Sequence, residues 1–234
     1  SRPWTSASRL YRLDVHGRET LILSGAPVYA DDGALVVHPT EPRTTISMLP
    51  APRSIAIAGG EGLLSRTDAR GETEAGRLWE TWTLDAPHAG AHRLLTGLRP
   101  AAVAQAPRLG GPMSRLSAPT DWSGAARIQV DVPAALVEGV DRALLRVDWT
   151  GDVGRAWVGD QLVSDHFWHG RVWDVDLTPW RRQLRVHGLV LELLPWVAGA
   201  GVWVDPSVAP DRDGLEIRSV EVVRVPRTVL VPRA

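Results

Sequence analysis

From Ala126 to Val132 the chain reads ARIQVDV, and from Leu144 to Trp149 it reads LLRVDW, with apolar and polar residues taking turns along the chain. A period of two places alternate side chains on opposite faces of an extended strand, so one face is buried and the other is wet. On a helix the same residues would be scattered around the axis, so the pattern demands antiparallel sheet. Shorter runs of the same kind occupy 10–15, 20–23, 34–37, 44–49, 54–58 and 78–84, separated by turn formers such as His16-Gly17, Ser24-Gly25 and Asp31-Asp32-Gly33. In the second half, 155–158 and 161–164 flank Gly159-Asp160, a two-residue connection of the kind that closes a hairpin. Further strands are expected at 184–186, 190–194, 201–204 and 215–225. The expected fold is all-β: an antiparallel β-sandwich whose second half is a jelly roll, preceded by a smaller β-domain.

A stretch rich in Pro, Ala and Gly from Pro100 to Pro119 reads as a connector, which divides the chain into 1–111 and 112–234 with a boundary near residue 112. Between Gly59 and Gly76 the alternation gives way to a polar, glycine-rich loop. The single expected helix, Ala134 to Val140, is held to a turn or two by Pro133 and Gly139. No unit of 20 to 50 residues recurs, which removes solenoids and propellers.

Composition narrows the function classes. With 234 residues and 44% hydrophobic content there is material for a real core. The net charge of −1 is spread along the chain, and every basic residue is arginine, so no basic stripe is present for a nucleic acid. Cysteine is absent, which excludes disulfides, thiolate metal sites and a cysteine nucleophile while leaving the compartment open. No run of about eighteen apolar residues marks a membrane span. Ser1-Arg2-Pro3-Trp4 does not begin a signal segment, so any leader is expected to be already absent. Eleven tryptophans stand against two tyrosines and one phenylalanine, and tryptophan serves both as core and as a stacking platform.

Aromatic and acidic residues concentrate between Gly151 and Leu177. Aspartates at 148, 152, 160, 165, 174 and 176 include candidates for a pair of glycosidase carboxylates, although spacing along a chain does not set the distance such a pair needs. Asp152 and Asp160 fall at turns, where carboxylates accept backbone N–H groups. His166 and His169, beside Trp168 in an expected loop, read as sugar contacts, metal ligands, a general acid or plain loop residues. Ser164-Asp165-His166 is not a catalytic triad, because neighbours on an extended chain point to opposite faces. Trp149, Trp157 and Trp203 lie in apolar runs and are expected in the core. Trp168 and Trp173 flank a bend with Gly170 and Arg171, where indole faces and nearby Asp, His and Arg suit a sugar. The candidate ligand-binding set is therefore Asp165, His166, Trp168, His169, Arg171 and Trp173. Asp205 with Asp211 and Asp213 reads as a solvated turn rather than a calcium loop. Arg181-Arg182 reads as closing a strand connection, and Gly59-Gly60-Glu61-Gly62 lacks the ending of a nucleotide loop.

Trp149, Gly151-Asp152, Gly159-Asp160, Asp165, Phe167-Trp168, Gly170 and Trp173 occur in that order, and LELLPWVAGAGVWVDP follows from Leu191 to Pro206. In this arrangement the stretch 120–226 resembles the C-terminal jelly-roll region of bacterial family-35 glycoside hydrolases, the β-galactosidase family. Asp176-Leu177-Thr178 is also similar to a feature of galactose-binding-like sandwiches. The catalytic (β/α)8 barrel of that family, roughly 250 residues, has no counterpart here, so no catalytic residue is carried over. The resemblance implies a non-catalytic accessory sandwich, part of such an enzyme or a free-standing relative of it, that binds carbohydrate of galactoside type or packs on a catalytic barrel. The spacing of the histidines and aspartates gives no convincing metal set, and no cofactor is expected. A small β-sandwich glycoside hydrolase or polysaccharide lyase, and a purely structural interaction module, stand as the alternatives.

Overall fold

The computed structural model describes residues 10–60, 62–67, 79–102, 120–198 and 204–233. Eight strands come first: β1 (Leu10–Val15), β2 (Arg18–Ser24), β3 (Val28–Asp31), β4 (Ala34–Val37), β5 (Arg43–Leu49), β6 (Ser54–Gly60), β7 (Leu63–Thr67) and β8 (Glu80–Asp85). Then follow β9 (Gly90–Leu98), β10 (Ala126–Val130), α1 (Ala134–Val137), β11 (Arg142–Thr150), β12 (Val153–Val158), β13 (Gln161–Phe167) and β14 (Trp173–Asp176). The chain ends with α2 (Arg181–His187), β15 (Leu189–Leu193), β16 (Glu216–Val225) and β17 (Thr228–Arg233). The all-β, antiparallel, sandwich-like architecture expected from the alternation is what the chain adopts.

Two compact units are present, and they are not consecutive in the chain. The first takes Ser1–Ala91, Val140–Arg142 and Val223–Ala234; the second takes His92–Gly139 and Ala143–Val222. The boundary expected near residue 112 lies outside the described residues.

In the first unit a five-stranded sheet, β1-β2-β5-β8-β7, accompanies a four-stranded sheet, β3-β4-β17-β6. Ile22, Ile46, Met48 and Leu84 from the former share one buried cluster with Leu35 and Leu230 from the latter. The β1–β2 and β3–β4 hairpins turn on His16-Gly17 and Asp32-Gly33, all four residues having positive φ. That is the two-residue turn whose twist matches antiparallel strands. Strand β7 was expected to be loop. It pairs only with β8, at the sheet edge, and four of its five residues are exposed, so no buried face marks it in the sequence. β17 lies inside its sheet despite Pro232. Its bonds to β4 end at Leu230, so the proline stands beyond the stretch paired on both sides.

The second unit holds the sheets β10-β15-β12-β13 and β14-β11-β16-β9. Along β11, Ala143, Leu145, Val147 and Trp149 are buried and alternate with more exposed neighbours, as period two requires. The hairpin around Gly159-Asp160 forms as expected, with Gly159 at φ +62°. α1 is a single turn inside the expected helical range.

Residues 184–186, expected as a strand, are helical instead. Pro179 opens a 3-10 turn, Thr178–Trp180, that runs into α2. Gly188 at φ +67° ends the helix, its N–H returning to the Leu184 carbonyl. Proline in the first turn and glycine just past the end are start and stop signals. Only Leu184 is buried, which leaves no periodic stripe to read. Arg181-Arg182 accordingly form its first turn rather than a strand connection. The expected strand at 201–204 lies almost wholly outside the described residues, as does Trp203.

Leu230 fills the first unit's core from the last strand of the chain. Leu230→Ala is expected to destabilise this unit by about 2–5 kcal/mol, measured as a lowered urea midpoint.

Candidate functional site

The segment Ser164–Trp173 begins on β13, an edge strand. His166 was expected in a loop and Asp165 at its border. They are strand residues, paired with Arg155 and Gly154 across the ladder, while Phe167 pairs with Val153. Parity then decides orientation. His166 faces the interior, and Asp165 and Phe167 face outward and are exposed.

His166 enters a nest of rings. Its imidazole stacks on Trp173 at 5.5 Å between centroids and 9° between planes, lies 6.0 Å from Trp149 and lies 5.1 Å from His169. Trp149 and Trp173 are 6.3 Å apart. The space for these rings comes from Gly154. A Cβ there would stand 2.9 Å from Leu193 Cδ2, 3.0 Å from Trp173 Cζ3 and 3.2 Å from Trp149 Cη2. Trp173 donates its indole N–H to Ser164 Oγ at 3.1 Å, so the serine acts as an anchor rather than a nucleophile.

Trp168 is tied to the backbone of Trp149. Its N–H donates to the Trp149 carbonyl at 2.7 Å, and its ring meets Trp196 edge-on at 5.8 Å. Trp168 and Trp173 are only 5% and 3% exposed, so neither offers a face to a sugar. The surface bend expected to present them exists, but the rings turn inward, because their N–H groups find acceptors inside the sandwich. Of the six candidates, the structure brings His166, His169 and Trp173 together, and it leaves Asp165 and Arg171 exposed without an ion pair among the described residues. His169 is exposed, and its Nδ1–H donates to the Phe167 carbonyl at 3.0 Å.

Phe167, 55% exposed, is the aromatic that the tryptophan count obscured. Trp157, expected in the core, is half-buried on the outer face of its sheet, opposite in parity to buried Ala156 and Val158. There its N–H donates to Glu192 Oε2 at 3.2 Å, and Arg127 donates to the other carboxylate oxygen at 2.8 Å. Beside it, the Arg155 guanidinium lies 3.7 Å over the Trp122 ring.

The remaining aspartates are mostly committed. Asp174 takes a two-pronged bond from Arg146, Asp148 pairs with Arg218, and Asp176 accepts the Thr178 N–H. Asp152 is buried, and burial pushes its carboxyl above the usual range. Asp205 caps Ser207, and Asp213 accepts the Ala198 N–H. Among the described residues no group of three or more His, Asp or Glu side chains is placed to hold a metal ion, and no helix is long and apolar enough to cross a membrane.

Comparison with protein-family models, with curated proteins and with solved structures finds no match for this chain.

Burial pushes His166 down to about 4, and the adjacent His169 adds to the effect while Asp165 opposes it. Its Nδ1 is buried with no hydrogen-bond partner, so a charged ring would leave a donor unsatisfied. In the unfolded chain the same side chain protonates near 6.5. Stability from this site is therefore complete above pH 6.5 and is lost as pH falls to about 4. The loss is expected to reach at most roughly 3 kcal/mol. Denaturant midpoints measured across pH 4 to 7 are expected to decline less steeply in His166→Phe than in the parent chain.

Proposed function

We propose that this chain is a non-catalytic accessory β-sandwich of a glycoside hydrolase similar to the β-galactosidases, and that its second unit binds carbohydrate. One observation carries the reading. The segment richest in reactive side chains is spent on packing, and what it leaves outside is the Phe167 ring with Asp165, His169 and Arg171 close to it in sequence.

An aromatic face takes up the C–H face of a sugar, and carboxylate, imidazole and guanidinium groups bond its hydroxyls. Phe167 thus assumes the role that Trp168 and Trp173 were expected to play. Hydrolysis needs two free carboxyl groups across one bond. Asp148, Asp174 and Asp176 are each held by an arginine or a backbone N–H, which favours binding over turnover.

Calorimetric titration with lactose and with β-galactan is expected to show binding, weakened at least about tenfold, or 1.4 kcal/mol, in Phe167→Ala. Trp168→Ala is expected to lower the unfolding midpoint as well, since it empties a core position. Turnover of an aryl galactoside by the purified chain, or binding indifferent to Phe167→Ala, would contradict the proposal.

A further inference from the structure

A second place on the same unit is concave. Arg99 follows β9, Thr150 ends β11 and Glu216 begins β16, and with Arg212 and Asp213 from the preceding loop they line an open pocket of about 410 Å3. That volume falls in the range of small-molecule sites, roughly 300–1,000 Å3. Pro210 and Leu215 supply an apolar part of its wall.

Charge selects the ligand. The lining holds two guanidinium groups, Arg99 and Arg212, and two carboxylates, Asp213 and Glu216. An anion would meet both carboxylates and a cation both guanidinium groups, so the balance suits a neutral molecule. Arg99 donates to Glu216 at 2.9 Å, and this pair holds one wall in place. Arg218 bonds Asp148, the Thr150 hydroxyl and the Trp149 carbonyl, and stands 4.0 Å from the second Glu216 oxygen. Arg212 makes no hydrogen bond or ion pair among the described residues, which leaves its donors for a guest. The Thr150 oxygen accepts from Arg218, so its O–H is left to donate, and Asp213 Oδ1 accepts the Ala198 N–H, so its Oδ2 is left to accept. With the Arg212 donors these groups match a polyol, whose hydroxyls both give and accept hydrogen bonds. Leu215 and Pro210 match its C–H surfaces.

We infer that this pocket holds one terminal unit of a neutral saccharide, gripped by Arg212, Asp213, Glu216 and Thr150. The inference rests on the carbohydrate-binding reading above and assigns that function a concave site distinct from the Phe167 rim. Asp213, which with Asp205 and Asp211 read in the sequence as a solvated turn, lines this pocket with Arg99 and Arg212.

The full chain is titrated with methyl β-galactoside, methyl β-glucoside and lactose by calorimetry, and amide shifts are followed by two-dimensional NMR. At least one probe is expected to bind and to move the Thr150, Gly214 and Leu215 amides. Binding is expected to weaken tenfold or more in both Arg212→Ala and Glu216→Gln and to be unchanged in Val186→Ser, on the exposed face of α2. The amide shifts in the parent chain stand as evidence even where a variant folds poorly. A probe that binds without moving those amides, and that the two pocket variants hold as tightly as the parent, overturns the pocket and leaves the carbohydrate reading standing. Failure of every probe, β-galactan included, overturns both.

Discussion

The second unit depends on a contact between rings from its two sheets. Trp149 on β11 and Trp173 on β14 belong to one sheet, and they meet His166 on β13 over the bare backbone of Gly154 on β12, which belong to the other. In the ladder Gly154 stands between His166 and Leu193, so its missing side chain is the gap into which the indoles lean. Methyl-sized additions to a packed interior cost about 1–3 kcal/mol, and here the neighbours are two tryptophans and a leucine. The packing is strong enough to hold the Trp149 indole N–H buried without an acceptor, a loss on the order of 1–3 kcal/mol that area burial has to offset.

That contact explains both what could be read from the sequence and what could not. Strand positions were legible wherever one face is buried and the other wet, as along β10, β11 and the β12–β13 hairpin, because burial imposes the period. Turns were legible at His16-Gly17, Asp32-Gly33 and Gly159-Asp160, since positive φ restricts the residue. Orientation along β13 was not. The run Asp165-His166-Phe167 puts a histidine in and a phenylalanine out, the reverse of what hydrophobicity alone would assign. Parity there follows from pairing with β12 and from the hollow over Gly154, and neither is a local property of the run. Nor does Trp157 declare its side: Gly154, Ala156 and Val158 claim the interior, and only Glu192, from β15, gives the indole a reason to lie outside.

Charges on the strands of the second sheet are arranged by the same cross-strand logic. Arg146 stands directly opposite Asp174 and bonds both its oxygens, Arg218 reaches Asp148, and Arg93 reaches Glu221. Exposed pairs of this kind contribute little stability each, about 0–1 kcal/mol. Their effect is on recognition, because a guanidinium fork already closed on a carboxylate has few donors left for a ligand. A chain whose basic residues are all arginine therefore covers these strands with short, directional, mutually neutral pairs rather than with a field that attracts ions from a distance.

Where a strand ends, that arrangement ends too. Past the ends of β9 and β11 and before the start of β16 the described residues show only an isolated bridge, Trp196 to Gly214, and the connecting loop brings its own arginine and aspartate. There Arg99 and Glu216 still pair at one wall of the pocket, while Arg212 makes no hydrogen bond or ion pair among the described residues. In a sandwich built this way, the side chains left open to solvent chemistry stand at the sheet ends, and Trp149, Trp168, Trp173 and Trp196 stand in its interior.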